Sequence, residues 1–214
     1  MEIFKNRSFK GGSMKDIKET HSFMRLAEQQ LHEVVNTYDM KQLEKAADMI
    51  QAAEQKGCRI HVTGIGKPSH LAGYAASLLS STGSPAYFLD GTEAVHGSAG
   101  QVAANDVVIA ISNSGNTQEL KQTIQTLKQN GAHIIAVSGN ADSWLYTHSD
   151  AQLYAHVEQE GDALNKPPRA SILVELLVLQ SLSVLLQYRK NITGKDYLKW
   201  HPGGSLGEQT RREE

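Results

Sequence analysis

From residue 14 onward, apolar residues recur at helical spacing. Phe23, Leu26, Ala27, Leu31, Val34 and Val35 share one face, and Leu43, Ala46, Ala47 and Ile50 repeat the pattern. Two amphipathic helices are predicted, with apolar faces wide enough to cover a sheet or meet another subunit. The rhythm then changes. Short β-rich runs at 59–63, 86–89, 107–112, 133–138 and 152–156 alternate with helical stretches at 69–81, 117–130 and 142–148. The third and fourth runs, Val-Val-Ile-Ala-Ile and Ile-Ile-Ala-Val, are continuous apolar stretches of the kind buried on both faces of a parallel sheet. Such alternation predicts an α/β fold with helices on both sides of the sheet. A long helix over 169–189, introduced by Pro167 and Pro168, precedes a polar, Gly-rich tail. Residues 1–13 read as a flexible leader, 14–207 as one domain and 208–214 as a C-terminal tail.

Composition narrows the classes. A chain of 214 residues with 40% hydrophobic and 21% charged content suits one soluble domain with a full core. A formal net charge of −2 gives no reason to expect nucleic acid, so any anion site must be local. Cys58 is the only cysteine, which excludes an intramolecular disulfide and a thiolate metal cluster. None of the nine histidines forms a pair at metal-binding spacing, so no metal is expected. The apolar stretch 172–186 is interrupted by Glu175, Gln180 and Ser181 and reads as too short and too polar for a membrane span. The N-terminus lacks an apolar signal core. The expectation is a cytoplasmic protein with no membrane partner.

In a doubly wound sheet, ligands bind beyond the carboxyl ends of the strands, and two loops there carry unusual chemistry. The first is Gly64-Ile65-Gly66-Lys67-Pro68-Ser69, where two glycines let the backbone approach a ligand and Lys67 adds a cation beside a helix start. A dinucleotide fingerprint would place a third glycine at Ser69; Asp90, after the second run, keeps that reading open as a ribose-binding acid. The bland alternative is a tight turn with a solvated lysine. The second loop, Ser112-Asn113-Ser114-Gly115-Asn116-Thr117, brings hydroxyls and amides to a helix start and suits a phosphate. Asn116 with Glu119 also reads as a capping box, which by itself would explain Glu119.

Together these loops, with Glu93-Ala-Val-His96-Gly between them, resemble the sugar isomerase (SIS) family. The segment His201-Pro-Gly-Gly-Ser-Leu-Gly207 is similar to the signature of arabinose 5-phosphate isomerases in particular. The resemblance implies a flavodoxin-like three-layer αβα sandwich with a five-stranded parallel sheet, tetramers with shared active sites, and cofactor-free interconversion of ribulose 5-phosphate and arabinose 5-phosphate. It also implies active-site positions for Lys67, Glu119, Glu160 and His201, with His96 in a matching segment; Gly66, Ser69, Ser112, Asn113, Ser114 and Thr117 of the two loops are the expected phosphosugar contacts. Three departures stand out. Pro68 replaces a serine, Asn116 replaces a common glutamate, and Pro168-Arg169-Ala170-Ser171-Ile172 replaces a hydroxyl-rich run. Arg169 can hold a phosphate or mark a different sugar. Many relatives carry paired CBS domains after the signature; with the chain ending at Glu214, none is expected.

An aldose–ketose isomerase moves a proton between C1 and C2 through an enediol, which needs a base near its working pH and a cation or donors for the oxyanion. Glu160 or Glu119 is the expected base, His201 or His96 the proton donor and acceptor, and Lys67 the oxyanion stabiliser. Taken without the family, Glu160 reads as a solvated charge and both histidines as structural. The competing function is a non-catalytic phosphosugar sensor on the same fold, or an isomerase of another phosphosugar.

Overall fold

In the computed structural model, which describes residues 14–213, the apolar runs become the strands of one sheet. Strands β1 (Ile60–Gly64) and β3 (Val107–Ile111) are buried at every residue, and β4 (His133–Ser138) at all but His133. Strands β2 (Ala86–Phe88) and β5 (Ala151–Tyr154) are shorter and partly open, as edges must be. The order is β2-β1-β3-β4-β5, with every pairing parallel. The chain reverses its direction of travel across the sheet between β1 and β3, where Gly64 lies opposite Ile111.

Two apolar layers close the sheet. On one face Ile60, Val62, Ile109 and Ile135 pack beneath α2 (Met40–Gln55), α3 (Lys67–Ser81) and α6 (Ala170–Arg189). On the other, Val108, Ala110, Ile134 and Ala136 meet Leu120, Ile124 and Leu127 of α4 (Gln118–Gln129) and Leu145 of the short α5 (Trp144–Thr147). The alternation of residues 107–111 between the two clusters is the period-2 geometry of a strand. Helix α1 (Met14–Thr37) packs on α6, and Asp39 caps α2 by accepting the Lys41 N–H. At the amino edge of the sheet, buried Asp106 accepts the N–H groups of Arg59 (2.8 Å) and Ala103 (2.9 Å) and pairs with His61 (3.3 Å). Burial holds the His61 pKa below its ordinary value against the opposing pull of Asp106.

Two expectations are corrected. The segment after residue 189 is not a Gly-rich tail: Thr193 and Asp196 form a reciprocal capping box that starts α7 (Gly194–Trp200), and α8 (Gly204–Glu213) follows. Helix α6 does reach the length and hydropathy of a membrane span, although half of its apolar stretch is buried inside the protein against the sheet and its neighbouring helices. The leader assigned to 1–13 lies outside the described residues.

Candidate active site

Helices α3 and α4 begin at the carboxyl ends of β1 and β3, so their first turns flank the crevice where the sheet order reverses. Neither helix has a side-chain cap. At the start of α3, Gly66 has φ +69° and stands exposed, while Gly64 lies so close to Pro68 that a Cβ there would come within 2.9 Å of its backbone. Lys67, the first residue of α3, is exposed and forms no ion pair among the described residues. The Ser69 hydroxyl donates to Gly66 O at 2.7 Å and braces the turn. Asp90 accepts the Thr92 hydroxyl and the N–H groups of Thr92 and Glu93, bonds that hold its pKa below the usual carboxylate value. It shapes the turn after β2, which removes the main support for a ribose-binding acid. The following 3-10 turn, Ala94–His96, packs against α4, so exposed His96 and exposed Glu119 border the same crevice.

The loop after β3 is held from behind. Ser112 is buried and its oxygen takes the Gly115 N–H at 3.1 Å, so Ser112 forms the turn rather than facing outward. Ser138 at the end of β4 donates to Asn113 O, and Gly139 N–H does the same at 3.0 Å. Gly115 has φ +61°, and a Cβ there would collide with the Ser143 hydroxyl, so no other residue fits. Asn113 lies over Gly139. That leaves Ser114, which is exposed and accepts the Asn116 N–H at 3.3 Å, and Thr117, the half-buried N-cap of α4 that makes no side-chain cap bond, as the loop's accessible hydroxyls. The expected capping box does not form, because Asn116 Oδ1 accepts the Trp144 N–H at 3.2 Å across the β4 loop. Glu119 is therefore not engaged as a cap.

Glu160 sits in the loop between β5 and α6 and is only 8% exposed. Its Oε2 accepts the N–H groups of Arg169 (2.6 Å) and Ser171 (3.1 Å), which makes it the cap of α6. Oε1 accepts no hydrogen bond from the described residues. Helices α3 and α6 pack against one another and both start at the carboxyl edge, so Lys67 and Glu160 share one end of that seam. The Arg169 guanidinium is paired with Asp162 and is not free in this arrangement.

His201 is elsewhere. Its ring stacks on Tyr197 at 4.0 Å, and the adjoining Trp200 lies against Gly83, just beyond the C-terminus of α3. The 15 residues of α3 separate that end from Lys67, roughly 22 Å at the helical rise. Within one chain, the structure brings together Lys67, His96, Ser114, Thr117, Glu119 and Glu160 at one edge, and leaves His201 at the other.

The arrangement places a free lysine, a positioned carboxylate and an uncapped helix start along one edge. The family model for the SIS domain matches residues 53–185, a span that contains the whole sheet, both uncapped helix starts and Glu160. The chain belongs to the SIS domain family.

Its similarity to individual SIS proteins extends further. The chain is 36% identical over 185 residues to the arabinose 5-phosphate isomerase of Francisella tularensis, covering 86% of this chain and 56% of that protein. It is 37% identical over 165 residues to the Pseudomonas aeruginosa enzyme of the same name, covering 77% and 50%. The chain thus spans about half the length of the curated relatives it matches. An Escherichia coli CFT073 protein solved in complex with arabinose 5-phosphate superposes with a TM-score of 0.80 at 32% identity, covering 90% of this chain and all of that one.

Two polar residues of this SIS domain escaped the sequence reading. Ser171 and Glu175 are 0% exposed, one helical turn apart on α6, and neither the Ser171 hydroxyl nor either Glu175 oxygen has a partner among the described residues. Burial, then the nearby charge of Glu160, pushes the Glu175 carboxyl up to about 8. The only signal in the sequence was a glutamate interrupting an apolar run.

Proposed function

We propose that this chain is an aldose–ketose isomerase that interconverts D-ribulose 5-phosphate and D-arabinose 5-phosphate through an enediol. The observation that carries the reading is Glu160: one carboxylate oxygen is fixed by two amides at the start of α6 while the other has no hydrogen bond from the described residues, at the same edge as Lys67, which forms no ion pair among them. A base must be immobile yet have a free lone pair, and the developing oxyanion needs a cation. In this reading the phosphate rests at the start of α4, on Ser114, Thr117 and the free N–H groups of the first turn. Gly66, Ser69, Ser112 and Asn113 shape the two loops. Glu160 takes the proton from C2 of the aldose and returns it to C1, and Lys67 stabilises the enediolate oxygen. Glu119 and His96, on the opposite wall, handle the hydroxyl protons. The names of the relatives support the choice of sugar phosphate, and the compartment we assign is the cytoplasm.

His201 enters from a neighbouring subunit of a homotetramer. Two features support this assembly. Helix α6 is apolar on nearly all sides, as a helix buried all round would be, yet Val184 (65%) and Tyr188 (82%) stand exposed on it. Helix α1 exposes Ile17, Met24 and Val35. Mixing Lys67→Met with His201→Asn subunits tests the sharing: about a quarter of randomly paired sites regain both residues. Recovered turnover supports the shared site, and a mixed oligomer that stays inactive rules it out.

The reading itself is tested by incubation with ribulose 5-phosphate in deuterated water, with product analysis for arabinose 5-phosphate and for deuterium at C2. An enediol exchanges that hydrogen with solvent, whereas a sensor only binds. Binding without exchange across a broad phosphosugar panel overturns the isomerase reading in favour of the sensor.

A further inference from the structure

Glu175 is the largest anomaly in the interior. It has no accessible surface and, among the described residues, no hydrogen-bond partner on either oxygen, whereas nearly all native buried polar groups are paired. Its place is not arbitrary. Ser171 lies four residues earlier, on the same face of α6 one turn nearer the carboxyl edge. The N–H of Ser171 donates to Glu160 Oε2, and its own hydroxyl is dry and unpartnered. Glu160, Ser171 and Glu175 therefore form a column that descends from the site into the core.

We propose that Glu175 is a positioning residue for Glu160, placed beneath it so that the two carboxyls together carry a single negative charge. Two carboxylates close together in a dry interior do not both ionise, because each raises the cost of charging the other. Here the division is set by surroundings. Glu160 has two amide donors on Oε2, which favour negative charge there. Glu175 has no donor among the described residues and keeps its proton. Among the described residues, the elements packed on α6 offer it no competing charge. On α1, Arg25 and Glu28 are exposed; on α2, Asp48 is paired with Arg189; on α3, Lys67 and His70 are exposed. Glu54 is held at the far end of α6 by Lys190. Tyr38, which faces Val178 and Ser181, has its pKa raised by burial and stays neutral. Glu160 is the charge that acts on Glu175.

A functional consequence follows, resting on the reading of Glu160 as the base. At neutral pH the protonated Glu175 leaves Glu160 as the only ionised carboxylate of the pair. At higher pH a second charge arises directly below it, and two like charges then share the α6 start. The energy of the Glu160 carboxylate changes, and with it the match between base and substrate proton.

The test compares the parent with Glu175→Gln and Glu160→Gln. With ribulose 5-phosphate as substrate, kcat/KM of the parent should break above about pH 8, and Glu175→Gln, which stays neutral at all pH, should lose that break. Carbon NMR titration of the glutamate carboxyls gives a readout independent of turnover. In Glu160→Gln, the Glu175 midpoint should fall by about half a pH unit or more, since a like charge has been removed. An unchanged midpoint, or the same alkaline break in parent and Glu175→Gln, overturns the proposal. Coupled titrations in a protein with no turnover uphold the paired carboxyls and overturn only the isomerase reading.

Discussion

Replacing Glu175 with Gln should stabilise the protein, by an amount that grows with pH. The carboxyl titrates near 4.5 when solvated and is pushed up to about 8 when folded, first by burial and then by the charge of Glu160. Between those values the folded chain holds a proton that the unfolded chain releases, so unfolding becomes easier as pH rises. Below pH 4.5 both states are protonated and the residue contributes nothing to the pH dependence. Each pH unit between the two values costs about 1.4 kcal/mol, which amounts to roughly 3 kcal/mol at pH 7 and roughly 5 kcal/mol beyond pH 8. Against a total stability on the order of 5–15 kcal/mol, that is a large share. The Gln amide is also buried without partners, at a cost that does not vary with pH. The slope of the difference therefore isolates the ionisation. Urea unfolding of parent and variant at pH 5, 6, 7, 8 and 9 should show the advantage of the variant widening to pH 8 and then levelling. A constant difference across that range would refute a dry, protonated Glu175.

Three further outcomes follow from the site geometry. Gly115→Ala drives a Cβ into the Ser143 hydroxyl at φ +61°, so thermal melts should show a loss of about 1–3 kcal/mol or more, accompanied by weaker phosphosugar binding. Ser114→Ala should leave folding intact but weaken arabinose 5-phosphate binding in calorimetry by about 1.5–3 kcal/mol, the value of one hydrogen bond to a charged group. Glu160→Gln keeps an acceptor for the α6 amides, so melting should change little, whereas turnover should drop by about 10²–10⁴-fold; a variant that loses turnover only by unfolding contradicts the assigned role.

Much of the framework was legible because strands buried on both faces leave an unbroken apolar signature. The run at 133–138 coincides with β4, and the other strand boundaries fall within two residues of the expected ones. What went unread depends on contacts distant in sequence. Asn116 and Glu119 have the spacing of a capping box, but the Trp144 N–H, 28 residues away, claims the Asn116 side chain. The box that does form, Thr193 with Asp196, was hidden in a stretch whose glycines and prolines suggest a tail. Glu175 could not be assigned a direction because α6 is apolar all round: without a polar face there is no phase from which to infer which residues point inward. The candidate site divides the same way. Loops directly after strands were visible as motifs, while the bond from Glu160 to the α6 amides needed the β5–α6 connection to fold back on itself.

The sheet edge also explains how a chain of net charge −2 can present a local site for a dianion. Three helices, α3, α4 and α6, begin there, and each start carries partial positive charge from unpaired N–H groups. They are not equivalent. The start of α6 already holds an anion, the Glu160 carboxylate, on the N–H groups of Arg169 and Ser171. The starts of α3 and α4 have no side-chain cap, and they flank the crevice between β1 and β3. A phosphate would be repelled from the first and drawn to the other two, with Lys67 adding a full charge on the α3 side. The capping pattern leaves α3 and α4, and not α6, open to a phosphate; in the proposed reading the phosphate rests at α4 and the carbonyl end of the sugar lies toward the seam where α6 holds Glu160. Glu160, the proposed base, cannot drift away from that end, because moving it would leave the N–H groups of Arg169 and Ser171 at the start of α6 without that partner.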